Sequence, residues 1–249
     1  MNPLWDLIVA AEAEHGDAPA MHTESRTYSY TELTTIASNI AAELREAGLR
    51  KGDVLATLVP NGFDWLLTLA AAHEGLLSVS LHHIGQAADV GASLVVGVPE
   101  RVGNQLTEVP VLMVDDKWLR AREGAPNPTP PREFDGDESL VRLVLTSGTT
   151  GQAKAAEYNV ATIKALISSV DQVFGHGGSS RLSFMGFSTM GGVYQAILHS
   201  ATGSPYVAIG SINTRVPELI DELGISVVLG ATTSLAQLCD AYESHVERG

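Results

Sequence analysis

Apolar and polar positions alternate along this chain with two periods, and the switches between them mark its elements. The plainest helical stretch follows Tyr30. There Leu33, Ile36, Ala37, Ile40, Ala41 and Leu44 recur at i, i+3 and i+4, with Thr31 read as N-cap and Gly48 closing the helix. Residues 3–15 predict a shorter helix, with Leu4, Ile8 and Ala11 on one face and Pro3 in its first turn. Residues 20–22 and 26–29 between them predict two short strands. Short apolar runs at 54–59, 76–81, 94–98 and 111–114 have the pattern of buried strands, and Pro60-Asn61-Gly62 turns the first into a helix reaching Ala72.

The second half keeps the rhythm. A strand ends at 143–145. Asn159 is placed as the cap of a helix burying Ile163, Leu166, Ile167, Val170 and Phe174. Residues 181–185 read as a strand, and Gly191-Gly192 opens a helix towards His199. Runs at 205–209, 217–223, 225–229 and 234–242 continue the alternation. A βαβα series of this kind predicts an α/β fold of layered, mostly parallel sheets with helices on both faces. Four prolines, Pro126, Pro128, Pro130 and Pro131, lie among charged residues. Residues 121–139 therefore read as a solvated linker between an N-terminal α/β lobe, 1–120, and a second lobe, 140–249.

Composition narrows the classes. The 249 residues are enough for a large core, and 45% hydrophobic with 6% aromatic content suits an Ala/Val/Leu-rich α/β protein. The formal net charge of −14, from 29 acidic and 15 basic residues, argues against nucleic-acid and anionic-membrane partners, which need clustered cations. No apolar run approaches the roughly 20 residues of a membrane span. Asp6, Glu12 and Glu14 interrupt any signal-peptide core, so the chain reads as cytoplasmic. Cys239, the only cysteine, lies beside the apolar run 235–238 and reads as a buried structural thiol. The adjacent His82 and His83 read as a surface pair rather than metal ligands.

Chemistry concentrates in one stretch. Leu143, Val144 and Leu145 run straight into Thr146, Ser147, Gly148, Thr149, Thr150 and Gly151, with Lys154 three residues later. The four hydroxyls and the backbone N–H groups of the glycine turns can converge on one anion, and Lys154 adds a mobile point charge. The Gly-Lys-Ser/Thr ending of a Walker loop is missing, so this is a different kind of phosphate grip.

The ordered block Thr-Ser-Gly-Thr-Thr-Gly-x-x-Lys resembles the phosphate-loop signature of the adenylate-forming superfamily, which holds AMP-dependent acyl-CoA synthetases, luciferases and the adenylation domains of peptide synthetases. A second series is similar to the N-terminal part of that family: Tyr28-Ser-Tyr-Thr-Glu-Leu33, Ala37, Leu44, Gly52-Asp53-Val54 and Pro60-Asn61. The resemblance covers most of this chain but only the first half of the family's usual length. It implies ATP-dependent activation of a small-molecule carboxylate to an acyl-adenylate and then a thioester, with Mg²⁺ as cofactor and coenzyme A as one acceptor. It assigns Thr146, Ser147, Gly148, Thr149, Thr150, Gly151 and Lys154 to the ATP phosphates, and places a substrate-pocket segment at Phe187, Ser188 and Gly191.

Departures from the family pattern are visible. Ser188 follows Phe187 where many members have histidine, Ala153 and Ala155 replace proline and glycine, and the connection 82–91 is short. The family's adenine-floor segment, magnesium carboxylate, ribose aspartate and C-terminal lysine have no counterpart here. No catalytic or metal-ligating residue is assignable, so the chain alone is expected to be incomplete for turnover. Three readings stay open at this point: a partial ligase, a non-catalytic nucleotide-binding or interaction module derived from one, or a half completed by a second polypeptide. Self-association through an apolar edge is a further expectation.

Overall fold

The computed structural model describes residues 2–105, 107–146, 154–174, 180–209, 211–213 and 215–246. Helix α1 (Pro3–His15) leads into strands β1 (Pro19–Thr23) and β2 (Thr27–Ser29), then α2 (Tyr30–Glu46). Strands β3 (Val54–Leu58), β4 (Leu77–Ser80), β5 (Leu94–Gly97) and β6 (Val111–Met113) alternate with α3 (Asn61–Glu74), α4 (Gln86–Asp89) and α5 (Pro99–Val102), and α6 (Asp116–Arg120) follows. Strands β7 (Leu140–Thr146) and β8 (Lys154–Asn159) precede α7 (Val160–Phe174). Then come β9 (Arg181–Ser183), α8 (Met190–Thr202), β10 (Tyr206–Ala208), α9 (Val216–Glu222), β11 (Val227–Leu229) and α10 (Thr232–Val246).

Two sheets organise these elements. One has the order β6-β5-β3-β4-β7-β8 and is parallel except for its edge strand β8; the other has the order β11-β9-β10-β1-β2 and is parallel except for β2. The expected layered, mostly parallel architecture is borne out. Helices α1, α2, α3, α7 and α8 fill the space between the sheets. Their apolar faces meet Leu55, Val96 and Val141 of the first sheet and Met21, Tyr206 and Ala208 of the second in one core. The outer face of the first sheet is covered around Ile84 and Ala87, and that of the second by α9 and α10 through Ile220 and Leu238.

Both sheets draw strands from either side of residues 121–139, so the layers do not follow the division of the sequence at that linker. The linker itself is a strap laid over the helices. Asn39 Nδ2 donates to the carbonyls of Arg122 (2.9 Å) and Ala125 (3.3 Å), and Arg45 Nη2 to that of Pro130 (3.2 Å). The Arg132 N–H donates to the His73 carbonyl at 2.8 Å.

Local details refine the sequence reading. Helix α2 is capped by Ser29, not Thr31. The Ser29 hydroxyl accepts from the Glu32 N–H, and the Glu32 carboxylate accepts from the Ser29 N–H, a reciprocal capping box. Asn159 does cap α7, accepting from the Thr162 N–H at 2.9 Å. Cys239 is exposed, contrary to expectation. Leu238 takes the inward position on α10, and the next residue is turned about 100° away. Among the described residues, no helix is long and apolar enough to cross a membrane.

Candidate functional site

A cavity of about 320 Å³ opens at the carboxyl ends of β3 and β4, the end at which open parallel sheets bind ligands. Its wall is built from Thr57, Leu58 and Val59 at the end of β3, Asn61 and Asp64 in the first turn of α3, and Ser80, Leu81 and His82 at the end of β4. Arg101 of α5 and the segment Gly186-Phe187-Ser188 between β9 and α8 complete it. The segment therefore brings the second sheet's chain to the rim of the first.

Alternation along β4 explains the polar floor. Val79 faces the apolar outer cluster, so Ser78 and Ser80 face the other way, towards α3. Arg142 of β7 lies fully buried beside them. Its Nη1 donates to Ser78 Oγ (3.0 Å) and Thr68 Oγ1 (3.2 Å), and its Nη2 to Ser80 Oγ (2.9 Å) and the Phe187 carbonyl (2.6 Å). Asp64 is also buried and accepts from Thr57 Oγ1 at 2.9 Å. Desolvation pushes the Asp64 carboxyl above its ordinary range, opposed by the charge of Arg142 and by hydrogen bonds from Ser80 and Thr57. Desolvation also pulls the Arg142 guanidinium below its usual value, with Asp64 opposing.

The residues singled out in the sequence fall around this cavity to different degrees. Phe187 is 1% exposed, with its ring near Trp65 and Tyr206, and Ser188 is half-buried; both line the cavity. Gly191 is not among the lining residues. It stands in the first turn of α8 against Met185. Its neighbour Gly192 is the position that requires glycine, since a Cβ there would come within 2.3 Å of the Gly186 carbonyl oxygen. Thr146 ends β7 and pairs across the ladder with Lys154, which starts β8, so the expected phosphate segment joins two antiparallel strands. Ser147, Gly148, Thr149, Thr150 and Gly151 lie outside the described residues. The parallel register of β7 with β4 is seen at Ser78↔Arg142 and Val79↔Leu143, three residues before Thr146, and Thr146 itself is not among the residues lining the cavity.

Asp64 and Arg142 were missed by the sequence reading. Their signal was present: one cation inside the apolar run Leu140-Val-Arg-Leu-Val-Leu145, and one carboxylate inside a helix with hardly a polar face. Among the described residues no three His, Cys, Asp or Glu side chains stand together as a metal site.

The comparisons with known proteins agree with this architecture. Phenyloxazoline synthase MbtB of Mycobacterium tuberculosis is 34% identical over 165 residues, covering 62% of this chain and 11% of that protein. Feruloyl-CoA synthase of Amycolatopsis sp is 31% identical over 163 residues, covering 61% of this chain and 32% of that one. The chain thus matches about a tenth to a third of the length of these relatives. The structure of VinN with L-aspartate superposes with a TM-score of 0.84 at 22% identity, covering 98% of this chain and 66% of that one, a likeness of fold. The profile of the AMP-binding enzyme family matches residues 9–248, nearly the whole chain, and the chain belongs to that family.

Proposed function

We propose that this chain is the phosphate-gripping and cavity-forming part of an ATP-dependent carboxylate ligase, acting in the cytoplasm. Such an enzyme joins a carboxylate to AMP with release of pyrophosphate and then passes the acyl group to a thiol such as coenzyme A. The observation that carries the reading is the pairing of Thr146 and Lys154 across the base of one hairpin, on a strand β7 that pairs with β4, whose end lines the same cavity as Phe187 and Ser188.

In the reaction, a carboxylate oxygen attacks the α-phosphorus, and negative charge grows on the departing pyrophosphate. The hydroxyls of Thr146, Ser147, Thr149 and Thr150, the Gly148 and Gly151 amides and the Lys154 ammonium are suited to hold that charge on the β and γ phosphates. Phe187 and Ser188 form the wall against which the acid is held, and the hydroxyl of Ser188 offers a donor where a larger imidazole would fill space. Among the described residues no three His, Cys, Asp or Glu side chains are grouped to hold Mg²⁺, and the ion would arrive with the nucleotide's phosphates.

The test is calorimetric titration of Mg·ATP and of pyrophosphate into the wild-type chain and Lys154→Ala. Loss of one charge-assisted hydrogen bond is expected to weaken binding by about 1.5–3 kcal/mol. Equal affinities for the two folded proteins would refute the assignment.

A further inference from the structure

Arg142 does not line the cavity, yet it holds the residues that do. One Nη group serves α3 and β4 through Thr68 and Ser78. The other serves Ser80 and the Phe187 carbonyl, at 2.9 and 2.6 Å. The Ser80 hydroxyl in turn bonds the Asp64 carboxylate. Three lining residues, Ser80, Asp64 and Phe187, are therefore tied directly or through one hydroxyl to a single guanidinium. That guanidinium sits on β7, whose last residue is Thr146. Phe187 belongs to the stretch leading from the other sheet's β9 into α8, a stretch with no strand or helix of its own. The bond from Arg142 to its carbonyl thus crosses from one sheet to the other.

A buried cation opposite Asp64 needs no fork, because any ammonium of the right reach supplies the charge. Serving a hydroxyl and a carbonyl with one NH₂ while the second NH₂ serves two further hydroxyls does need one. We propose that Arg142 is a positioning residue that fixes the Phe187-Ser188 wall relative to the strand carrying Thr146, so that a ligand held at both is held in one geometry. The ligand half of this proposal rests on reading Thr146–Lys154 as a phosphate grip; the structural half does not.

The test is residue-resolved amide exchange on the full chain with Arg142→Lys, which keeps the charge facing Asp64 and removes the fork. The reporters are the Thr189 N–H, bonded to the Gly186 carbonyl at 3.0 Å, and the Gly192 N–H, bonded to Thr189 Oγ1 at 3.3 Å. Both are expected to exchange on the order of tenfold faster in the variant, while amides in the middle of α2 keep their wild-type rates. Wild-type protection at both reporters would reduce Arg142 to charge compensation and overturn the proposal. Should the lysine variant fail to fold, Ser80→Ala removes one anchor of the fork and is expected to accelerate the same two amides, and unchanged rates there overturn the proposal equally. In the second arm, pyrophosphate is titrated while the Ser188 amide signal is followed. The signal should shift in the wild type and stay still in Arg142→Lys at unchanged pyrophosphate affinity, and an equal shift in both would contradict the linkage. Failure of the wild type to bind pyrophosphate would refute the phosphate reading, leaving the exchange rates to decide the role of Arg142.

Discussion

Helix α3 carries a buried carboxylate at each end, and the two are treated in opposite ways. Glu74, at its last turn, is 0% exposed and ringed by partners: Arg45 Nε and Nη2 donate to it at 2.7 and 2.8 Å, Arg132 Nε pairs with it at 3.2 Å, and His73 Nδ1 lies at 2.9 Å. Burial pushes its carboxyl up, but the bonds from His73 and Arg45 and the Arg45 charge outweigh that, and its pKa ends below the ordinary value. Asp64, at the first turn, is 3% exposed and met by the hydroxyls of Thr57 and Ser80, with Arg142 one serine further away. Burial wins there and its pKa ends above the ordinary value. Glu74 is a clasp that fixes the strap 121–139 to α2 and α3. Asp64 is an under-compensated group on a cavity wall, the kind of position at which a ligand can change the balance.

The largest effect that sharpens this contrast is expected from Glu74→Gln. It leaves two arginines facing a neutral amide, and the loss should be about 3 kcal/mol at neutral pH, the low end for a broken buried pair because Arg45 and Arg132 can turn to water. Urea unfolding measures it, and a loss below half that figure would remove the distinction between the two ends. The penalty should also vanish in acid. With a folded pKa below the unfolded 4.5, Glu74 stabilises fully above that value and loses its contribution as pH falls through the folded one.

A smaller effect of the opposite slope is expected from Asp64→Asn. The folded pKa lies above the unfolded 3.8, so ionisation costs stability as pH rises from there through the folded value, and the cost stays constant above it. The amide removes that cost. The variant should match or exceed wild-type stability at neutral pH and lose that advantage as the pH falls through the folded pKa towards 3.8. A neutral-pH loss as large as that of Glu74→Gln would break the comparison.

The sequence made some of this legible and hid the rest for identifiable reasons. The apolar stripe of α2 and the short β runs are local patterns, and they specified elements that the structure contains. The true start of α2 was also local: Ser29 and Glu32 have the spacing of a capping box, but the strand-like Tyr28-Ser-Tyr masked it. Strand β8, Lys-Ala-Ala-Glu-Tyr-Asn, lacks both alternation and β-branched residues and is specified by its pairing with β7, a tertiary fact. The same holds for β1, whose parallel partner β10 lies far along the chain. The block from Thr146 to Lys154 stood out in the sequence because its chemistry is contiguous, and its role as a phosphate grip is a proposal. Arg142, Ser80 and Asp64 come from three separate elements and Phe187 from the connection between β9 and α8, and only the packing of two sheets on a shared helical layer brings them together.

The most direct test of the central claim is to map pyrophosphate on the wild-type chain by residue-resolved NMR. Shifts centred on residues 146–154, with smaller ones at His82 and Ser188, are the predicted result. Shifts centred elsewhere, or none at saturating pyrophosphate in the folded protein, would contradict it.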